Sequence, residues 1–183
     1  MAITKILNIQ ESDGRNPASH LKNALEYIQN PDKTEECVLV GSINCLPDTA
    51  FEQMEETKNI FHKTGKRQGY HVIISFSPEE KVTAEQAMYV LEHFAKDVLG
   101  DDYEAVYAVH TDREHMHGHL IWNSVSMTTG NSVSTVSFLF SSAASCPSVS
   151  FIFPFSSCSV ISSGLIYLYP NLLHHPGLCG NCS

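Results

Sequence analysis

The sequence predicts an α+β protein: a mostly antiparallel sheet with packed helices, followed by an uncharged C-terminal tail. Three observations carry this. Short β-branched runs alternate with segments of helical periodicity, in the order β-α-β-α-β-α-β-β. The last two strands are separated only by the turn TDREH (111–115), and so short a link makes an antiparallel hairpin. Finally, all 11 Lys and Arg and all 20 Asp and Glu lie within 1–130, about 24% of that stretch, while 131–183 has none.

The elements follow in order. ITKILNI (3–9) alternates loosely and reads as a strand, and QESDGRNP (10–17) is turn chemistry. A helix is expected at about 18–29, where Leu21, Ala24, Leu25 and Ile28 share one apolar face before Asn30-Pro31-Asp32 stops it. CVLVG (37–41) reads as a short buried strand. TAFE (49–52) has the form of a capping box opening a second helix, with Phe51, Met54 and Phe61 on one side and Gly65 as its end. YHVIISF (70–76) is a strand broken by Pro78. TAEQ (83–86) caps a third helix that buries Ala87, Leu91, Phe94, Ala95 and Val98 and ends at Gly100. YEAVYAVH (103–110) and MHGHLIWNSV (116–125) are the closing strands.

The charge split divides the chain into a domain at 1–130 and a Ser- and Phe-rich tail at 131–183. A window at 149–169 is long enough to span a bilayer, but it holds six Ser and one Pro and has no flanking Lys or Arg. The tail is read first as sequence outside the native domain, as translation past a frameshift or a gene interruption would produce. A low-complexity appendage and a membrane segment are the alternatives. The pair Cys179 and Cys182 lacks a convincing second half for a zinc site. Cys37 and Cys45 read as free cytosolic thiols, and the N-terminus is not a secretory signal. The net charge of −9 argues against broad electrostatic binding of nucleic acid, although bound cations can overrule a global sign.

The informative cluster is HTDREHMHGHLIWN (110–123). In a strand, His115, His117 and His119 share one parity and point to one side. A tight hairpin brings His110 across the same face, so imidazoles from two strands can converge on one cation. Such a set leaves coordination positions open, as a catalytic site requires. Asp112 is near enough to accept a second ring N–H and fix a tautomer. Zinc, manganese or nickel suits imidazole donors, whereas magnesium would need added oxygens such as those of a phosphate.

These residues resemble the third motif of the relaxase/mobilisation nucleases, which nick plasmid or conjugative-element DNA within the wider histidine-hydrophobic-histidine endonuclease group. His110, His117 and His119 match its core, with Asp112, His115 and Asn123 around them. LKNALEYIQNPDKT (21–34) resembles the first motif, which carries a nucleophilic tyrosine and maps it to Tyr27. HVIISFSPEEKVTAEQA (71–87) resembles the second. Gly118 departs from the pattern, which has a bulky apolar residue there, and the uncharged tail replaces the usual basic continuation, so the domain is expected to be truncated.

The resemblance implies a metal held by His110, His117 and His119, magnesium or manganese first and zinc also allowed. It implies Tyr27 and Asp112 as catalytic residues and a 5′-phosphotyrosine adduct. The expected partners are single-stranded or supercoiled DNA at an origin of transfer and other mobilisation or conjugation proteins, in the bacterial cytoplasm, with no membrane partner. The alternatives are an inactive remnant that binds metal only and a small membrane-associated protein. By helical geometry Tyr27 falls at the border of its helix's apolar face, which suits either a catalytic phenol or an ordinary boundary residue. Tyr70, Tyr103 and Tyr107 read as sheet packing, with Tyr70 as the fallback nucleophile. His71 begins a strand and either faces the site or is a plain strand-end histidine. Lys63, Lys66 and Arg67 are the densest basic cluster, a solvated helix end or a phosphate contact.

Overall fold

Strand β1 (Ile3–Gln10) enters the fold first and leads through the turn at Asn16 and Pro17 into α1 (Ser19–Ile28). Then come β2 (Val40–Ile43), α2 (Ala50–Ile60), β3 (Arg67–Ser75), α3 (Ala84–Leu99), β4 (Ala105–His110), β5 (His117–Asn123) and β6 (Leu165–Tyr167). The computed structural model describes residues 3–112, 115–132 and 165–167. The Cys179/Cys182 pair, and the 149–169 window apart from β6, lie outside the described residues. The six strands form one sheet in the order β2-β4-β5-β3-β1-β6, with every neighbouring pair antiparallel. Among the described residues no helix is long and apolar enough to cross a membrane.

The sheet is covered on both faces. Leu91, Ala95 and Leu99 of α3 pack on Val72, Ile74, Tyr107, Val109, Leu120 and Trp122. On the opposite face, Leu21, Leu25 and Ile28 of α1 and Met54 of α2 pack on Ile9, Val106, Ala108 and Ile121. Strand alternation explains the division: within β5, Leu120 and Trp122 face α3, whereas Ile121 faces α1.

The third helix begins as expected. Thr83 Oγ1 accepts from Gln86 N–H at 3.2 Å and Gln86 Oε1 accepts from Thr83 N–H at 2.9 Å, a complete capping box. The second helix does not. Thr49 makes no side-chain cap, because its backbone (φ −120°, ψ 15°) is not extended and a 3₁₀ turn at Pro47–Thr49 leads into the helix instead. Its end also differs. His62, at φ +55°, takes the left-handed position. His62 N–H donates to the Asn59 carbonyl and Lys63 N–H to the Lys58 carbonyl, a Schellman motif built on histidine, so the helix stops before Gly65.

The strand expected at 37–41 starts later, at Val40. Glu35, Glu36 and Cys37 all have positive φ (50°, 56° and 68°), which no strand accommodates, and Val38 is exposed.

Candidate active site

Antiparallel register assembles the histidines. His110, the last residue of β4, lies directly across from His117, the first of β5. His119 lies across from Ala108 on one side and Ile73 on the other, and His71 is opposite Ile121. Period-two alternation therefore puts His71, His110, His117 and His119 on the α1 face. His115 precedes β5, and its ring packs on His117 with centroids 4.5 Å apart.

Three of these rings are buried together. The His110 and His119 centroids are 4.3 Å apart, and those of His71 and His119 5.2 Å. His71 Nε2 and His119 Nδ1 share a hydrogen bond of 3.0 Å. His110 Nε2 is 3.0 Å from the Ile28 carbonyl oxygen, which can only accept, so that nitrogen carries the proton. Burial, with the neighbouring His110, pushes the His71 imidazole down to about 4. Burial, followed by His110, His71, His117 and Lys33, pushes His119 down to about 3. Both are neutral at physiological pH, the form that binds metals.

Tyr27 is the next residue built onto this cluster. It lies on the last turn of α1, and its ring meets His110 and His119 edge-on, with centroids at 5.4 and 5.9 Å. It is 45% exposed, so the phenol borders the buried imidazoles and remains open to a ligand. The fallback Tyr70 is on the other face, buried and stacked on Trp122 at 5.0 Å.

Two expected supports sit elsewhere. Asp112 does not accept from a histidine ring: its carboxylate takes a 3.0 Å hydrogen bond from Lys33 Nζ, because the turn after α1 lies beside the end of β4. The Lys33 ammonium also holds that carboxyl below the usual range. Asn123 is buried at the far end of β5, where its amide donates to the Met54 carbonyl at 3.0 Å and to Glu104 Oε2 at 2.8 Å. That position makes it a strut between α2 and the sheet. In the basic cluster, Lys63 Nζ donates to the Gly130 carbonyl at 2.6 Å and Arg67 Nη1 to the Tyr70 hydroxyl at 2.7 Å. Lys33, whose Nζ stands 4.9 Å from the Tyr27 ring centroid, is the site-edge residue sequence reading passed over.

Gly118, the departure from the family pattern, has a local cause. It lies on the α3 face, where a Cβ would come within 2.9 Å of Leu91 Cδ1.

The family model for the relaxase nuclease domain, MobA/VirD2-like, matches residues 27–144, beginning at Tyr27 and including every histidine of the cluster. The chain belongs to this relaxase family. Among its relatives, the group II intron-interrupted relaxase LtrB of Lactococcus lactis subsp. cremoris is 35% identical over 136 residues, covering 61% of this chain and 24% of that protein. A Protein rlx of Staphylococcus aureus is 34% identical over 131 residues, covering 72% of this chain and 36% of its own length. Another from that organism is 36% identical over 130 residues, covering 71% and 36%. The chain thus spans about a quarter to a third of these relatives. The relaxase match runs past position 130, to 144.

The donors a divalent cation would draw on are these imidazoles. Among the described residues, no three His, Cys, Asp or Glu side chains are already arranged around one point. The chemistry of the set nevertheless fits: imidazoles gathered on one sheet face, of which His71 and His119 are neutral and share a hydrogen bond.

Proposed function

We propose that this chain carries the strand-nicking centre of a relaxase acting on DNA at an origin of transfer, with Tyr27 as nucleophile. The observation that carries this reading is the Tyr27 ring set edge-on against His110 and His119 while nearly half exposed. In the step, a bond forms between the Tyr27 phenolic oxygen and phosphorus as the bond from phosphorus to the 3′ oxygen breaks. The phenolic proton leaves and the 3′ oxygen takes one up. The product is a 5′-phosphotyrosine and a 3′-hydroxyl, and the phosphodiester energy is retained for resealing.

His110, His117 and His119 would hold the divalent cation, with His71 beside them as the partner that orients His119. When bound, the cation supplies charge neutralisation and polarisation of the scissile phosphate. Imidazole donors suit manganese or zinc better than magnesium alone. Burial keeps His71 and His119 unprotonated at neutral pH, and the exposed edge of Tyr27 leaves room for a single strand. Other mobilisation proteins are the proposed protein partners.

The test is direct. The full chain is incubated with manganese and a supercoiled plasmid bearing the origin region of its own element, then denatured. A protein–DNA adduct is expected, and Tyr27→Phe should abolish it. An adduct that persists in Tyr27→Phe would overturn the assignment, as would nicking by the wild type without any adduct.

A further inference from the structure

The end of α1 and the turn that follows it are fastened to the histidine strand at three points. His110 Nε2 donates to the Ile28 carbonyl at 3.0 Å. Thr111 N–H donates to the Lys33 carbonyl at 3.1 Å. Lys33 Nζ donates to Asp112 Oδ2 at 3.0 Å, across 79 positions of sequence. The turn itself is tightly wound: Lys33 N–H donates to the Asn30 carbonyl at 3.0 Å, as does the buried Thr34 hydroxyl at 2.9 Å. Lys33 therefore has little freedom, and its ammonium lies 4.9 Å from the centre of the Tyr27 ring. Cation–π contacts of this kind operate within about 6 Å.

Ordinary surface ion pairs hold little in place. This one is different in position, since the side chains are only 22% and 29% exposed and the Lys33 ammonium stands against the Tyr27 ring, which also meets His110 and His119. We propose that Lys33 is the positioning residue for Tyr27: its ammonium, anchored by Asp112, holds the phenol ring against the histidine cluster. This rests on the reading of Tyr27 as nucleophile. It also gives Asp112 a role through its hydrogen bond from Lys33. The effect on the reaction is geometric, because a displacement of about 1 Å in a reacting group can cost about a hundredfold in rate.

Two measurements on the full chain test it. In the first, tyrosine-ring ¹³C labelling reports the ring resonances without DNA, with Tyr27 assigned by its loss in Tyr27→Phe. Lys33→Met should move the Tyr27 resonances toward those of a free tyrosine and leave the other six tyrosines in place. Lys33→Arg should restore them, because a guanidinium also pairs with a carboxylate and stacks on an aromatic ring. In the second, adduct formation is followed under single-turnover conditions with the origin plasmid and manganese. Lys33→Met should slow it about ten- to a hundredfold at saturating DNA, with the half-saturating DNA concentration unchanged. Asp112→Asn should give the same loss, and the double variant no more.

Unmoved Tyr27 resonances in Lys33→Met would overturn the proposal. So would a loss confined to half-saturation, which would make Lys33 a DNA phosphate contact, or fully additive losses in the double variant. A wild type that forms no adduct would refute the nicking reading, while the resonance measurement would still decide whether Lys33 positions Tyr27.

Discussion

The α1 and α2 side of the sheet buries polar groups at both ends, but with opposite kinds of partner. At the α2 end, donors meet acceptors. The fully buried Lys58 donates to Gln68 Oε1 at 2.8 Å and to Glu55 at 2.9 Å. Glu104 accepts from Thr57 and from Asn123. At the α1 end, imidazole meets imidazole, and burial together with the neighbouring His110 makes His71 and His119 harder to protonate. Complementary pairing of the first kind is what a stable interior needs. A cluster of neutral imidazoles gathers potential ligands in one place, the arrangement found at functional sites.

Acid should break this contrast most strongly. His71 and His119 have folded-state values near 4 and 3, below the ordinary 6.5. Between these values the unfolded chain binds more protons than the folded one, so stability rises with pH across this window. The stability is fully present above about 6.5 and is lost as pH falls. Each histidine can contribute up to ~1.4 kcal/mol per pH unit, or about 3 kcal/mol for both between pH 6.5, where the unfolded imidazole is half protonated, and pH 5. Denaturant titrations at the two pH values should show the loss, and His71→Gln should flatten the dependence.

Removing an acceptor at the α2 end tests the other half. Glu104→Ala leaves the Thr57 hydroxyl and the Asn123 amide without this partner, and should cost about 3 kcal/mol in urea unfolding. A loss below half of that would mean the α2 end is not the structural one. Manganese or zinc should act only at the α1 end: about 2.7 kcal/mol of stabilisation at a hundred times the dissociation constant, read as a rise in Tm. That rise should vanish in His119→Ala and survive Glu104→Ala. The smallest effect concerns the opposite face, where Gly118→Ala presses on Leu91 and should cost about 2 kcal/mol.

The sequence showed most of the α1 end, because alternation along a strand is a local rule: His117 and His119 had to share a face, and a short hairpin had to bring His110 to it. His71 was ambiguous from sequence because its partner is 48 positions away and only the β3–β5 register connects them. Asp112 misled for the same reason. Nearness in sequence pointed to a histidine, whereas the turn after α1 delivered a lysine. Asn123 fits the family pattern by spacing, yet two more positions beyond Ile121 carry it under α2. The start of α3 was legible because Thr83 caps it with its side chain, and the end of α2 was not, because a left-handed His62 replaced the expected glycine.

The contact between Gly118 and Leu91 also bears on how the strands find their alignment. A slip of β5 by one residue would turn His117 and His119 toward α3 and reverse every side chain of the strand. A side chain there presses on Leu91, whose Cδ1 a Cβ would meet at 2.9 Å. The notch at Gly118 thus works as a key: a one-residue slip presses an imidazole on Leu91, whereas the native alignment sets His119 beside Tyr27.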